Sequence, residues 1–267
     1  MAISALEFQQ LNRLFEQHTG ISLGKNKADI VASRLASRLR ASRSPSFSKY
    51  YRLLLTPEGK DELQIFIDKL TTHETYFFRE QAQFEFLYHY YQHNRPRHSP
   101  IRAWSAACSS GEEAYSLAMI LDDLFYNRPW HVIGTDISEM SVLMARDARY
   151  AISTVGKIPK RYRIRYCMKG TGKNADNFTL ISTLKKQCSF QEDNLLNLTT
   201  VDFSFDVIFL RNVLIYFDKP KQQAILNNII KRLNHGGLLF LGHSEAMRDK
   251  PACLQTLSPC IYKKVAL

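Results

Sequence analysis

The segment from Ser105 to Glu113 holds the residue types that point most directly to chemistry. It reads Ser-Ala-Ala-Cys-Ser-Ser-Gly-Glu-Glu, and Gly111 is its only glycine. In an open α/β sheet, a ligand usually sits at such a loop, beyond the carboxyl end of a strand. A dinucleotide would require the G-x-G-x-x-G pattern, which lets the backbone approach a pyrophosphate. The segment therefore predicts a ligand site that is not a dinucleotide site.

Glu112 and Glu113 restrict the charge that the ligand can carry. Acids suit the positive end of a helix, but they would repel a phosphate placed there. A cationic ligand without phosphate fits better, and S-adenosylmethionine (SAM), which carries a sulfonium and an ammonium group, is one. The simpler interpretation, that both are ordinary first-turn acids, stays open, more so for Glu112 than for Glu113.

Asp136 is the next candidate, 25 positions beyond Gly111 and directly after the apolar run His131 to Thr135. An acid at the end of the second strand can accept hydrogen bonds from ribose hydroxyls. It could instead cap the following helix, a role that Ser138 could also fill.

These residues need a parallel sheet to position them, and short apolar runs alternating with helical segments predict one. The expected fold is α/β and doubly wound. Its predicted strands are 101–107, 131–135, 187–190, 205–210 and 237–242, with helices such as 112–125 and 219–233. Residues 163–186 break the alternation and predict a small inserted antiparallel excursion.

Residues 5–70 read as a separate helical domain, with apolar residues at three- and four-residue spacing. On an ideal helix, Lys27, Arg34 and Arg38 lie within roughly 40° of one another. An ordinary solvated face would usually interleave both signs of charge, so the stripe favours a docking surface that Arg40 and Arg43 could extend. A solvated face remains the alternative.

Composition limits the possible classes of protein. The chain has 267 residues, 45% of them hydrophobic, which is enough for one substantial core and a small companion domain. No apolar run reaches the ~18 residues of a membrane span, and the first ten residues lack a signal-peptide pattern. Five cysteines without paired spacing indicate free thiols and no structural metal. We expect a cytoplasmic protein.

The net charge of +11 is concentrated in two windows. Residues 20–52 hold eight Lys/Arg against one acid, and residues 157–186 hold nine against one. Such patches indicate an anionic macromolecular partner, either nucleic acid or an acidic protein helix.

Several motifs in fixed order resemble the CheR family of chemotaxis-receptor glutamate methyltransferases. The resemblance runs over nearly the whole chain and is carried by segments 20–40, 72–80 (Thr-His-Glu-Thr-Tyr-Phe-Phe-Arg-Glu), 104–116, 194–196, 205–218 and 237–245. It implies an all-α N-terminal domain (1–70), a linker that contributes to the active site (71–100), and a Rossmann-like class I SAM-dependent methyltransferase domain (101–267) with an inserted β-subdomain at about 163–186.

The resemblance also implies roles for individual residues, with Arg79 and Tyr216 catalytic. From the basic stripe itself we expect Lys27, Arg34, Arg38 and Arg40 to dock the receptor. Cofactor contacts would come from His73, Thr75, Arg79, Glu113, Asp136, Asn194, Leu195, Arg211 and Asn212. His73 departs from the family, which often has Asn there.

The implied reaction gives glutamyl methyl esters and S-adenosylhomocysteine (SAH). The implied partners are the cytoplasmic methylation helices of chemotaxis receptors, and the β-subdomain is a candidate to hold a receptor tail peptide. No nucleic acid, no membrane insertion and a monomer are expected. The rival classes are a nucleic-acid methyltransferase, a small-molecule O-methyltransferase and a non-catalytic scaffold. The amine-directed type commonly carries an Asn/Asp-Pro-Pro-aromatic motif, whereas residues 211–216 contain no proline.

Overall fold

The computed structural model of the protein describes residues 2–96 and 100–266, and its contacts divide the chain into two compact units. The first unit comprises Met1–Thr72 and Tyr216–Lys221. The second comprises His73–Ile215 and Gln222–Leu267.

The first unit is all helical, as predicted. Its helices are α1 (Ala5–Thr19), α2 (Ala28–Ala41), α3 (Phe47–Leu54) and α4 (Lys60–Leu70). Ser4 and Glu7 form a capping box that starts α1, and Gly20, at φ 77°, ends it. Phe15, Leu35, Tyr50 and Phe66 are fully buried at the centre of the unit's own core.

Lys27 is not part of α2. It lies in a short 3-10 turn, Lys25–Lys27, whose Asn26 has non-helical backbone angles, and α2 begins only at Ala28. The ideal helix assumed from Lys27 to Arg40 is therefore wrong at its first residue.

The rest of the chain supplies ten strands and six helices among the described residues. The strands are β1 (Ile101–Ala106), β2 (Trp130–Asp136), β3 (Arg149–Ala151), β4 (Cys167–Lys169), β5 (Asn177–Leu180), β6 (Cys188–Glu192), β7 (Phe205–Leu210), β8 (Leu233–Leu241), β9 (Leu254–Ser258) and β10 (Ile261–Lys264). The helices are α5 (Gln81–His93), α6 (Glu112–Leu124), α7 (Glu139–Asp147), α8 (Lys160–Tyr166), α9 (Ser182–Lys185) and α10 (Lys219–Lys231).

Seven strands form the main sheet, in the order β6-β2-β1-β7-β8-β10-β9. The first five run parallel, and β10 pairs antiparallel with both β8 and β9. Every residue of β7 is buried, as expected for a central parallel strand covered on both faces. The predicted doubly wound α/β fold is confirmed, and β8 begins at Leu233 rather than at the predicted Gly237.

The small antiparallel sheet is also present, with strand order β3-β5-β4. One of its three strands, β3 (Arg149–Ala151), lies outside the predicted range of 163–186. Residues 163–166, read as strand from the sequence, are the end of α8. Pro159 directly precedes this helix, and Tyr162 and Tyr166 are buried one turn apart, which is a helical spacing.

Candidate active site

The predicted cofactor residues of the second unit gather at the carboxyl ends of its parallel strands. Segment 105–113 runs from the end of β1 through a short loop into the first turn of α6. Asp136 ends β2, Asn194 follows β6, and Arg211 and Asn212 follow β7. Parallel strands bring these ends to one edge of the sheet, where ligands of open α/β folds bind.

Gly111 is required by the backbone of the loop. Its φ is 95°, and a Cβ at this position would lie 2.8 Å from Ala145 Cβ and 3.1 Å from the Tyr150 hydroxyl. That hydroxyl donates to the Ser110 carbonyl at 2.9 Å, so Tyr150 of β3 is hydrogen-bonded to the loop beside Gly111. The single glycine therefore serves close packing of the loop against α7 and β3.

Glu113 forms an ion pair with Arg211. Arg211 Nε lies 2.8 Å from Glu113 Oε2, and the Ser105 hydroxyl donates to Oε1 at 2.8 Å. Glu112 makes a separate contact, since its Oε2 accepts from the Ser110 hydroxyl at 2.7 Å, and burial raises its pKa. Glu113 is thus more than an ordinary first-turn acid, because it links the loop after β1 to the residue after β7.

Arg211 joins several segments of the site, and its side chain is only 1% exposed. Its guanidinium also donates to Gln83 Oε1 at 3.0 Å and to the Arg79 carbonyl at 2.6 Å, and it lies 3.4 Å from Glu80 Oε2. The backbone of Arg79 is therefore fixed by the same side chain that holds Glu113.

Glu80 and Gln83 were not selected from the sequence. Glu80 adopts a left-handed conformation (φ 58°), and its Oε1 accepts from Asn212 Nδ2 at 3.1 Å. A usable signal was present, because Glu80 lies two residues after the aromatic run Phe77-Phe78 and so is expected to need a partner for its charge.

Glu245 was also missed, although it ends the motif at 237–245. Its carboxylate accepts backbone N–H groups from Gly242 (2.9 Å), Asn212 (2.7 Å), Leu214 (2.8 Å) and Ile215 (3.4 Å). Burial raises the pKa of Glu245, and these N–H groups offset part of the rise. Glu245 thereby fixes Asn212, which has a positive φ of 56°.

Asp136 shapes the cofactor loop. Its Oδ2 accepts from the Ser109 N–H at 2.8 Å and its Oδ1 from the Ser138 N–H at 3.0 Å. The cap of α7 is Ser138, whose hydroxyl accepts from the Ser141 N–H at 3.1 Å. The alternative that Asp136 is itself the helix cap is therefore wrong.

His73 contacts the same loop. Its carbonyl accepts from the Ser109 hydroxyl at 3.1 Å, and its Nδ1 lies 2.9 Å from the Ser141 hydroxyl. The imidazole of His73 thus holds a hydrogen bond to α7.

Asp193 organises the segment that carries Asn194 and Leu195. Its carboxylate accepts the N–H groups of Asn194 and Thr199, each at 3.0 Å, and the Thr200 hydroxyl at 2.7 Å. Leu195 is buried, and the Asn194 side chain accepts from the Leu196 N–H at 2.9 Å. Asp193 was not predicted, although an acid directly before Asn194 was visible in the sequence.

The two predicted catalytic residues belong to different units. Arg79 Nη1 donates to the Glu74 carbonyl at 2.8 Å, and its guanidinium lies 5.9 Å from the centre of the Tyr76 ring. Thr75, which lies between Glu74 and Tyr76 in the chain, is half-buried. Tyr216 ends the 3-10 turn Leu214–Tyr216, is half-buried and is counted with the first unit.

The basic residues of α2, and Lys27 before it, differ in their hydrogen-bond and ion-pair partners within the first unit. Arg34 donates to the carbonyls of Leu70 and Thr71 at 3.0 and 3.1 Å, and Arg38 is paired with Glu62, which also accepts from the Tyr50 hydroxyl at 2.7 Å. Lys27 and Arg40 are exposed. Glu62, which lies 24 positions from Arg38 in the chain, therefore neutralises part of the basic stripe.

The donors and acceptors at the sheet edge fit SAM better than a phosphate ligand. Two carboxylates, Glu113 and Asp136, lie beside the loop, and Arg211, which contacts Glu113, also faces Glu80. Such a set suits a cation with hydroxyl groups. Across residues 2–96 and 100–266, no group of three His, Cys, Asp or Glu side chains could hold a metal ion, and no helix is long and apolar enough to cross a membrane.

Two family models match the chain in sequence. The CheR methyltransferase all-alpha domain matches residues 6–71, and the CheR methyltransferase SAM binding domain matches residues 73–261.

Individual relatives agree with these matches. Chemotaxis protein methyltransferase 2 of Pseudomonas aeruginosa is 36% identical over 96% of this chain and 92% of its own length. The chemotaxis protein methyltransferases of Salmonella typhimurium and Escherichia coli are each 39% identical over 92% of this chain, and over 85% and 86% of their own lengths. The chain therefore belongs to the CheR methyltransferase family and carries its SAM-binding domain.

Proposed function

We propose that the protein methylates glutamate side chains on the cytoplasmic helices of chemotaxis receptors. The observation that carries this proposal is the state of Arg79. Its backbone is held by Arg211 through a 2.6 Å hydrogen bond, while its guanidinium, in the described part of the chain, donates only to the Glu74 carbonyl. Because a guanidinium has five N–H donors, Arg79 can bind and orient an incoming carboxylate.

Methyl transfer to a carboxylate requires few other catalytic groups from the protein. A glutamate is already ionised at pH 7, so no general base is needed. SAM, when bound, supplies an electrophilic methyl group, which a carboxylate oxygen takes as the carbon–sulfur bond breaks and leaves its electron pair on the sulfur of SAH. Arg79 fixes the direction of approach, and Tyr216 is the second residue we assign to the transferred methyl. Catalysis then rests on positioning.

Cofactor binding is assigned to nine residues of the second unit. Glu113 and Asp136 act as acceptors, and Arg211 and Asn212 hold the floor of the site after β7. His73, Thr75, Arg79, Asn194 and Leu195 complete the set.

Asn212 argues against an amine-directed nucleic-acid enzyme. Its side-chain N–H donates to Glu80 Oε1 at 3.1 Å, and its backbone N–H donates to Glu245 at 2.7 Å. The residue is therefore committed to the fold of the site rather than presented to an amine. The basic surfaces are better explained by an acidic protein helix, and the proposal places the enzyme in the cytoplasm with that partner.

Receptor docking is assigned to α2 and the turn before it. Of the four residues predicted, Lys27 and Arg40 are exposed and form no ion pair with another described residue. Arg34 and Arg38 also stabilise the first unit through Leu70, Thr71 and Glu62. Charge reversal at Arg34 and Arg38 would therefore disturb folding together with docking. Lys27→Glu with Arg40→Glu is the cleaner double variant.

The small sheet is the proposed site for a receptor tail peptide. The order β3-β5-β4 leaves β3 and β4 as edge strands, and an extended peptide can add to such an edge. A labelled tail peptide should lose affinity when proline replaces an edge residue such as Met168.

One experiment tests the reaction. The protein is incubated with methyl-labelled SAM and either receptor cytoplasmic fragments or nucleic acid, and the label is then exposed to base. Base-labile label on the receptor fragment is expected, because a glutamyl methyl ester hydrolyses. Base-stable label on nucleic acid would overturn the proposal.

Arg79→Ala sharpens the test. It should abolish methylation while SAH still binds within a few-fold of wild type, since Arg79 acts mainly on the acceptor carboxylate. Arg13→Ala, which removes an exposed arginine of α1, is the matched control and should methylate normally. Normal turnover by Arg79→Ala would refute the role of Arg79.

A further inference from the structure

A surface pocket lies in the first unit where α2 gives way to α3. Its apolar lining includes Ala32, Ala36, Leu39 and Phe47, and Arg40 and Arg43 lie beside them. The two alanines leave room on a helix face that larger side chains would fill. The pocket therefore combines an apolar floor with positive charge at its border.

Arg40 and Arg43 differ from the other arginines of α2 in their partners. Arg38 is paired with Glu62, and Arg34 donates to two backbone carbonyls. Among the described residues, neither Arg40 nor Arg43 has a carboxylate within ion-pair distance. Their charge is left for something outside the chain.

Arg43 also occupies a backbone position that favours glycine. Its φ is 52°, in the left-handed region, just after the end of α2. The Arg43 N–H bonds to the Arg40 carbonyl at 3.1 Å and the Ser44 N–H to the Leu39 carbonyl at 2.9 Å, which is the pattern of a glycine-type helix end. A side chain here costs free energy that glycine would not, and such strain is a reason to look for function.

We propose that this pocket binds an apolar side chain of an acidic helical segment, with carboxylates of that segment paired to Arg40 and Arg43. The inference rests on the proposed function, because the segment is taken to be part of a receptor methylation helix. An apolar floor offers nothing to a phosphate, whereas an amphipathic acidic helix presents an apolar side chain and a carboxylate one turn apart. The pocket would thus set the register of the receptor helix on the enzyme.

Arg43→Gly tests the proposal because its two expected effects have opposite signs. The thermal midpoint of the first unit should stay level or rise by a few degrees, since the strain is relieved. The affinity for a fluorescently labelled receptor fragment should fall roughly fivefold, the value of one good surface ion pair. SAH affinity should not change.

Two further variants separate charge from shape. Ala36→Leu fills the pocket without altering any charge and should weaken fragment binding as Arg43→Gly does. Arg13→Ala removes one exposed positive charge from α1 and should leave binding within twofold of wild type. If Arg13→Ala weakened binding as much as Arg43→Gly, the effect would come from overall charge and the pocket proposal would fall.

The remaining outcomes each decide the question. Unchanged fragment affinity in both Arg43→Gly and Ala36→Leu would overturn the pocket proposal. The proposal would also fall if these variants weakened binding of a nucleic-acid probe and left binding of the receptor fragment unchanged. A lower thermal midpoint in Arg43→Gly would show that Arg43 serves the fold instead. Failure of the proposed function would appear separately, as absence of base-labile label on the receptor fragment with the wild-type enzyme.

Discussion

Arg211 Nε lies 2.8 Å from Glu113 Oε2, and the two residues are 98 positions apart in the chain. This pair joins the loop after β1 to the end of β7. Because the Arg211 side chain is 1% exposed, its charge depends on Glu113 and on Glu80 for compensation. The cofactor loop and the backbone of Arg79 are thus held by one buried cation.

Removing that cation should be costly. Arg211→Met leaves the carboxylates of Glu80 and Glu113 without their partner in a buried place, and we expect a loss of about 3–5 kcal/mol in the free energy of unfolding. Both tryptophans, Trp104 and Trp130, lie in the second unit, so urea unfolding followed by tryptophan fluorescence reports the effect. Arg248→Met removes an exposed arginine and is the control. A loss below 1 kcal/mol would mean that Arg211 is not the centre of the site.

Gly242 should not tolerate a side chain. A Cβ there would lie 2.6 Å from Glu245 Oε2 and 2.8 Å from Asn212 Nδ2, so Gly242→Ala should displace Asn212 and weaken SAH binding at least tenfold. Gly156→Ala is a matched control, because a Cβ at Gly156 meets nothing within 4 Å. Isothermal titration with SAH compares the two, and equal affinities would contradict the close approach at Gly242.

Asp193 should control cofactor affinity through the segment it organises. Asp193→Asn turns one acceptor into a donor facing the N–H groups of Thr199 and Thr200, at a cost of about 1–3 kcal/mol. Asn194 and Leu195 would lose their positions, so SAH affinity should fall about tenfold or more. Asp202→Asn, at an exposed position in the same connection, should bind SAH normally. If both variants bind equally well, Asp193 has no part in shaping the site.

Glu7 should make the first unit sensitive to acid. Hydrogen bonds from Ser4, with further ones from Ser48, lower the pKa of Glu7 from 4.5 to about 2. Since the folded pKa is the lower one, the stabilisation is complete well above pH 4.5, begins to fall as the pH approaches 4.5, and is lost as the pH falls towards 2. Solvent screening at this half-buried site reduces the effect to about 1 kcal/mol.

The comparison of wild type with Glu7→Gln measures this effect. The difference in unfolding free energy, followed by far-ultraviolet circular dichroism of the full chain, should be constant above about pH 6 and should shrink between pH 5 and pH 2. A difference that grows on acidification would have the wrong sign for a lowered pKa.

Local patterns made much of this protein predictable. The alternation of strands and helices, the buried run of β7, and the loop of Gly111 and Glu113 are all readable within short windows, because side-chain periodicity and helix-end preferences act over a few residues. Residues 163–166 were misread because they carry an apparent strand alternation beside a helical spacing of buried tyrosines, and packing of Tyr162 and Tyr166 decided for the helix.

Partners distant in sequence were decided only by the tertiary structure. The sequence identified Glu113, Arg211 and the arginines of α2, but not that Glu80 shares Arg211 across 131 positions or that Glu62 of α4 neutralises Arg38. A buried charge requires a compensating group, and any of the chain's many acids could serve until packing selects one. Local sequence patterns selected candidate site residues such as Glu113 and Arg211. The fold showed which residues hold these candidates in place, because such contacts join segments that are far apart in the chain.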